Sequence, residues 1–254
     1  MIKYKTSEGD TFEYPTSLED LTLNQYLEFL DIVEPTKPEE LANIEAANIE
    51  YHFSETEKEK ESAKLKLDKL IEALTDILMY KKVYPYYARV VAYFASGLSE
   101  QQILGGKKHG DGMNLGHLTM LYSNIISMLN NPEEPEYSPV IQVDGELWYL
   151  PKRYMEKSKL IEYAEASQFE DNLQKVTNGH WKALPKIMCV LVRKENELYS
   201  DKLMSRESMF LSWSLADCLK VAFFLLKRSE LSLLNLEAFT AAQDLSNLKL
   251  ASKN

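Results

Sequence analysis

The residues best spaced for chemistry lie in a glycine-rich loop at positions 105–116. His109, Asp111 and His117 supply two imidazoles and a carboxylate, which are donor types found at zinc sites. A flexible loop does not impose tetrahedral geometry, however, and no neighbouring residue is placed to orient the imidazoles. We therefore expect no metal at this loop.

The same loop contains the run Gly105-Gly106-Lys107-Lys108, whose backbone amides could cradle a phosphate. It lacks the G-x-x-x-x-G-K-[ST] spacing and the hydrophobic strand that precede a phosphate-binding helix. We expect no nucleotide and no other cofactor here. Loops of this kind more often contact partners, so we predict that this one becomes ordered on meeting another protein.

The remaining polar residues give no catalytic pattern. His52 and His180 each lie beside an aromatic residue, which favours packing or surface positions, and Glu195 and Glu197 share a polar turn. The chain has no G-x-S-x-G, no H-E-x-x-H, no C-x-x-C, and no G-x-G-x-x-G after a strand. These observations predict a protein that is not an enzyme.

The two cysteines, Cys189 and Cys218, lie within apolar runs, so we expect both to be buried and unpaired. The longest apolar stretch, Met209 to Leu226, contains Asp217 and Lys220, which favours a buried helix over a membrane span. The first ten residues carry no signal-peptide core. The expected site of synthesis is a reducing cytoplasm.

Composition indicates a globular chain: 45% of its 254 residues are apolar and 27% are charged. The net charge is −10, and the first 136 residues carry −11 of it against +1 for the rest. Phosphate neutralisation by Lys and Arg dominates sequence-independent DNA binding, so this acidic chain is a poor candidate for it. A basic protein surface is the better-matched partner.

Two β-hairpins are predicted. Ile2 to Tyr14 alternates apolar and polar residues around a polar turn, and Asp144-Gly145 lies between the apolar residues of 140–150. The rest of the pattern is helical. The predicted fold class is mainly α, with helical bundles and short β-hairpins.

The first predicted helix has Ser17 as its N-cap, carries Leu and Tyr on one face, and ends before Pro35. Pro85 is expected to mark a helix break. Further helical segments are predicted at Pro38–Met79, Leu118–Leu129, Lys157–Ala166, Phe169–Val176, Ala183–Val192, Ser205–Trp213, Leu215–Lys227 and Leu233–Leu245.

The two hairpins suggest an internal duplication. An offset of 136 residues sets Gly9 on Gly145, Phe12 on Trp148 and Pro15 on Pro151. Later, the triplet Ala73-Leu74-Ile77 parallels the triplet Ala183-Leu184-Ile187. We therefore predict two related halves, at 1–131 and 140–254, joined by a linker at 132–139. Coincidence between common motifs is the alternative.

Aromatic content is the strongest indication of binding, with 15 Tyr, 9 Phe and 3 Trp. Tyr and Trp combine a large rigid contact area with a polar tip, which suits protein interfaces. The predicted interface set combines tyrosines near Pro85 and near the linker with two loop lysines. It consists of Tyr80, Tyr84, Tyr86, Tyr87, Lys107, Lys108, Tyr137 and Tyr149.

Four segments of the chain are distinctive: SLEDLTLNQYLEFLDI, WYLP, WKALPKIMCVLVRK, and Arg206 with Phe210 leading to KVAFFLL. Together they resemble a group of tailed-bacteriophage structural proteins of the podovirus-like, including crAss-like, type. The helix start of that group, Leu-Thr-Leu-x-x-Tyr after a hairpin, corresponds here to residues Leu21 to Tyr26. The resemblance implies a virion or virion-assembly role and carries over no functional residue, because the pattern is one of packing.

The expected function is a non-enzymatic structural component of a tailed-phage particle, in a neck or tail-barrel ring. It would act through contacts with other virion proteins, as a homo-oligomer or within a hetero-assembly, with no specific nucleic acid and no membrane. The alternatives are a cargo protein packaged in the virion and ejected with the genome, and a cytoplasmic assembly chaperone.

Overall fold

The computed structural model describes residues 1–5, 11–105, 112–130, 138–150, 181–197 and 201–224. Over these ranges the chain is mainly helical, with two antiparallel sheets of two strands each. This confirms the predicted fold class of mainly α structure with short β-hairpins. Two compact units are present, Met1–Asp20 with Gln25–Pro132 and Leu21–Asn24 with Glu133–Asn254.

The first unit opens on the predicted hairpin. Strands β1 (Ile2–Lys5) and β2 (Thr11–Tyr14) pair antiparallel, with Ile2 opposite Tyr14. Phe12 and Tyr14 are buried, and the Tyr14 hydroxyl donates a hydrogen bond to the Leu121 carbonyl at 2.6 Å. This bond satisfies a buried phenol and anchors the hairpin to the helices behind it.

Seven helices follow along the chain as far as Asn130. They are α1 (Leu23–Ile32), α2 (Glu39–Phe53), α3 (Glu57–Glu72), α4 (Asp76–Leu78), α5 (Tyr84–Phe94), α6 (Glu100–Leu104) and α7 (Leu115–Asn130). Short 3-10 turns occur at Leu18–Asp20 and Glu34–Thr36, and a π-helical turn at Met79–Val83 leads into α5.

Local sequence explains where several of these helices begin. Thr56 and Glu59 form a capping box at the start of α3, and Ser99 and Gln102 form another at the start of α6. Pro85 lies in the first turn of α5, a position where proline is tolerated. The break predicted at Pro85 corresponds to the change from the π-helical turn to α5.

The core of the first unit forms around α5. Its buried residues Tyr86, Ala88, Val90, Val91 and Phe94 include the side chains that pack against α7. The buried residues of α7 are Leu118, Leu121, Tyr122 and Ile125.

The second unit is built on the predicted Asp-Gly hairpin. Strands β3 (Val140–Val143) and β4 (Glu146–Tyr149) pair antiparallel, and Asp144 and Gly145 both have positive φ, at 51° and 81°. Positive φ at both central residues is the geometry of a type I′ turn, which matches the twist of the strands.

Three helices accompany this hairpin in the described residues: α8 (Leu184–Leu191), α9 (Glu207–Leu211) and α10 (215–224). Short 3-10 turns at Trp181–Ala183 and Asp201–Arg206 precede α8 and α9. The helices predicted at Lys157–Ala166, Phe169–Val176 and Leu233–Leu245 lie outside the described residues.

Three aromatic rings fill the core of the second unit. Trp148, Phe210 and Trp213 contact one another edge to face, with centroids 4.9–6.0 Å apart, a preferred geometry for aromatic pairs. Cys189 and Cys218 are buried and free, as the sequence predicted, and burial raises the pKa of the Cys189 thiol to about 11.

The helix predicted to begin at Ser17 begins instead at Leu23. The amide of Leu23 donates to the Trp213 carbonyl at 3.0 Å, and the Leu21 carbonyl accepts from the Leu215 amide at 2.7 Å. These backbone groups belong to the second unit and cannot also form helical hydrogen bonds, so tertiary pairing overrides the local pattern. The predicted boundaries place Leu21–Asn24 in the first half.

The two hairpins make the same connection to a helix. Glu13 in β2 forms an antiparallel bridge with Ser96 after α5, and Tyr149 in β4 forms one with Arg193 after α8. Glu13 and Tyr149 are related by the 136-residue offset. The triplets starting at Ala73 and Ala183 occupy different positions, because Ala73 ends α3 whereas Ala183 precedes α8. Common descent of the halves stays a prediction.

No helix among the described residues is long and apolar enough to cross a membrane.

Candidate interaction surface

A row of tyrosines runs from the surface into the core of the first unit. Tyr80, Tyr84 and Tyr87 follow i, i+4, i+7 spacing, so they share one face of the π-turn and α5. Their rings meet edge to face, at 5.5 Å and then 6.1 Å. At the inner end, Tyr87 stacks on Tyr122 of α7 with centroids 3.7 Å apart.

Burial and nearby carboxylates favour the neutral form of three phenols in the first unit. Burial raises the pKa of Tyr86, Tyr87 and Tyr122; the charge of Glu45 raises all three further, and that of Glu34 raises those of Tyr86 and Tyr122. The Tyr86 hydroxyl donates to Glu34 Oε2 at 2.9 Å, which favours the protonated form further. Tyr86 therefore acts as a hydrogen-bond donor to Glu34, and Tyr87 and Tyr122 act as packing groups.

The structure separates the predicted interface tyrosines. Tyr80 is 61% exposed, Tyr84 and Tyr87 are half-buried, and Tyr86 is buried in the core. Tyr149 is half-buried at the end of β4. Lys107, Lys108 and Tyr137 lie outside the described residues. Among the four tyrosines near Pro85, Tyr80 is therefore the most exposed to solvent, and Tyr86 packs in the core.

The predicted chemical residues are not gathered into a described site. His109, Asp111 and His180 lie outside the described residues, and His117 is exposed in the first turn of α7. No group of three or more His, Cys, Asp or Glu able to hold a metal occurs among the residues that the structure describes.

Glu197 has a structural partner. Its carboxylate accepts hydrogen bonds from the guanidinium of Arg206, and this contact holds the pKa of Glu197 below its usual range. Arg206 also lies over the Trp148 ring, 5.7 Å from its centroid. The Arg206–Glu197 pair therefore lies against the aromatic core of the second unit.

The most exposed apolar row among the described residues lies on α2, and the sequence prediction did not single it out. Ala42, Ala46, Ile49 and Phe53 are all exposed. Ile49 retains 58% and Phe53 81% of its accessible surface. Their i, i+4, i+7, i+11 spacing is the signal that could have identified them. We call these four residues the α2 stripe.

The α2 stripe lies away from the buried side of its helix. At 100° per residue the four positions fall within roughly 60° of the helix circumference. Leu41 and Ala47, the buried residues of α2, lie about 110° and about 130° from the centre of the stripe, on opposite sides of it. The fold therefore uses another face of α2 to pack, and the stripe is left to solvent.

Charges beside the stripe are largely neutralised within the chain. α2 contains four Glu and no Lys or Arg. Beside the stripe, Glu45 pairs with Lys37 at 2.7 Å and Glu50 pairs with Lys66 at 2.6 Å. Because the carboxylates beside this apolar row are already paired with lysines, another surface can pack against the row at little electrostatic cost.

Comparison of the chain with protein-family models, with curated proteins and with solved structures finds no match.

Proposed function

We propose that this chain is a non-enzymatic structural component of a tailed-phage particle, in a neck or tail-barrel ring, that works through protein–protein contacts. The observation that carries the contact role is the exposed α2 stripe. A contiguous patch of exposed apolar residues with a polar rim is typical of a protein–protein interaction site, whereas apolar residues scattered singly over a surface are not.

The core provides a second reason to assign the stripe to association. Both units contain dense aromatic and aliphatic cores, around α5 in the first and around Trp148 in the second. Exposing a phenylalanine and an isoleucine on one helix face adds nothing to those cores. None of the described residues covers that surface, so contact with another protein would remove it from water.

The phage assignment is supported by the resemblance of the hairpin-to-helix segment that ends in Leu21 to Tyr26. A ring also needs two different complementary patches repeated about an axis. An acidic first half beside a nearly neutral second half provides such an asymmetry.

Quantitative mass spectrometry of particles released from cells that carry the gene tests this function. The count of this chain per particle is compared with that of the portal protein. A count equal to the portal's, or a simple multiple of it, is the expected result. An abundant count without that ratio would favour ejected cargo, and absence from finished particles would favour an assembly chaperone; either result contradicts the proposal.

Matched variants connect the count to the stripe. Ile49→Ser removes an apolar side chain from the stripe, whereas Leu65→Ser removes one of equal exposure, 57%, from α3. Leu65 lies two residues from the buried Ala63 and so on the opposite side of α3. We expect incorporation to fall with Ile49→Ser and to persist with Leu65→Ser. Equal incorporation of both variants would contradict a contact role for the stripe.

A further inference from the structure

The spacing of the α2 stripe matches one edge of a two-helix interface. Steps of four, three and four residues alternate from Ala42 to Phe53, which is the d, a, d, a order of a heptad. Such a row contacts a second helix that runs nearly parallel or antiparallel to the first. The row also has a polarity, because its two small residues precede its two large ones.

That polarity distinguishes the orientations of two identical helices. In an antiparallel pair, a positions face d positions, so Phe53 meets Ala42 of the second copy and Ile49 meets Ala46 of the second copy. Every large side chain is then opposite a small one. A parallel pair would place Phe53 against Phe53 and leave a gap between the alanines.

The flanking charges are compatible with the same antiparallel pair. The two-fold axis brings Glu45 close to His52 of the second copy, and Asn43 close to Glu50 of the second copy. No carboxylate of the helix then faces another carboxylate across the seam. Since Lys37 and Lys66 already neutralise Glu45 and Glu50, a basic partner helix would have to compete with the chain's own lysines.

We propose that the α2 stripe binds the α2 stripe of a second copy of this chain, as an antiparallel pair about a two-fold axis. This inference deepens the proposed function, on which it rests, by naming the partner. A two-fold contact joins copies in pairs and does not itself close a ring. It therefore adds to the unlike patches that a ring requires.

Sedimentation equilibrium of the purified full-length chain tests the pairing. We expect reversible dimers at micromolar concentrations, weakened about tenfold or more by Phe53→Ala, because that change removes the largest buried ring from both ends of the seam. Ala42→Phe should also weaken the dimer, because the new ring meets Phe53 of the second copy.

The double variant Ala42→Phe with Phe53→Ala tests the antiparallel orientation most sharply. It exchanges large and small residues within the same antiparallel layer, so we expect association to return to within about threefold of the original. Leu65→Ala, on the far side of α3, should leave association unchanged. Thermal unfolding of each variant checks that the fold is intact, as expected for exposed positions.

A monomer at all concentrations overturns the inference, as does a dimer indifferent to Phe53→Ala or a double variant no better than the single ones. A chain that is monomeric alone but needs Ile49 for incorporation into particles overturns self-pairing while supporting the proposed function. A chain that dimerises in solution but is absent from particles supports self-pairing and contradicts the proposed function. The two failures are therefore distinguishable.

Discussion

Helices α2 and α5 both carry apolar residues at helical spacing, but the chain buries one row and exposes the other. On α5 the residues from Tyr86 to Phe94 pack against α7. On α2, Ile49 and Phe53 stay in water although the helix packs against α3 through another face. An apolar row therefore contributes to folding on α5 and is available for association on α2.

The difference arises from what the neighbouring residues do. The α5 row meets apolar partners such as Phe29, whose ring centroid lies 5.0 Å from that of Phe94. The α2 stripe is bordered by carboxylates that are paired with lysines elsewhere in the first unit. Those ion pairs border the stripe, and the stripe itself is exposed because α2 packs against α3 through another face.

The largest expected effect is a difference in the free energy of unfolding between a variant in the buried row of α5 and a variant in the α2 stripe. Phe94→Ala should lower the free energy of unfolding by about 3–5 kcal/mol, because a buried ring is replaced by a cavity. Phe53→Ala should change it by no more than about 0.5 kcal/mol, as for other exposed positions. Urea unfolding of both variants below the association concentration measures the contrast. Equal losses would mean that α2 is also part of the core.

Alkaline pH should destabilise the core of the first unit, which forms around α5. Burial raises the pKa of Tyr86, Tyr87 and Tyr122 above the ordinary value of 10.0, and it raises the pKa of Tyr26 and Tyr93 to about 12. Above pH 10 the unfolded chain loses these protons while the folded chain keeps them. Stability should therefore fall as pH rises above 10, because each such tyrosine then holds its proton longer in the folded chain than in the unfolded one; a slope of about 1.4 kcal/mol per pH unit for each fully protected tyrosine is the upper limit.

Unfolding free energies between pH 8 and pH 11 check this slope. Tyr86→Phe should make the slope shallower by the contribution of one tyrosine, whereas Phe53→Ala removes no titrating group and should leave it unchanged. A slope that is identical in both variants would show that the buried phenols do not control the alkaline transition.

At neutral pH, removing the hydroxyl of Tyr86 and removing that of Tyr122 should change the free energy of unfolding by different amounts. Tyr86→Phe should cost about 1.5 kcal/mol, because Glu34 loses a hydrogen bond from the phenol. The buried hydroxyl of Tyr122 has no hydrogen-bond partner among the described residues, so Tyr122→Phe should be neutral or slightly stabilising. Chemical denaturation of the pair decides; a larger loss for Tyr122→Phe would reveal a partner for its hydroxyl.

Short-range signals predicted the fold best. Asp144-Gly145 demands positive φ at both residues, so the turn and the register of the second hairpin follow from two residue types. Tyr14 and Phe12 alternate as a half-buried strand requires, and the first hairpin pairs accordingly. These features depend on a few neighbouring residues, which a sequence displays directly.

Features that depend on distant residues were missed. The start of α1 moves to Leu23 because residues 213–215 pair with the segment before it, and no local pattern contains that information. Tyr86 and Tyr80 look alike in sequence, yet only the packing against α7 distinguishes the buried phenol from the exposed one. The α2 stripe was present as a spacing, but its exposure depends on which face packs against α3.

Amide hydrogen exchange of the full-length chain, below and above its association concentration, tests most directly whether the α2 stripe is a contact surface. The account predicts that exchange slows on association over Glu39–Phe53 and stays unchanged over Glu57–Glu72 and Tyr84–Phe94. Unchanged exchange over α2, or slowing confined to α3 or α5, would contradict it.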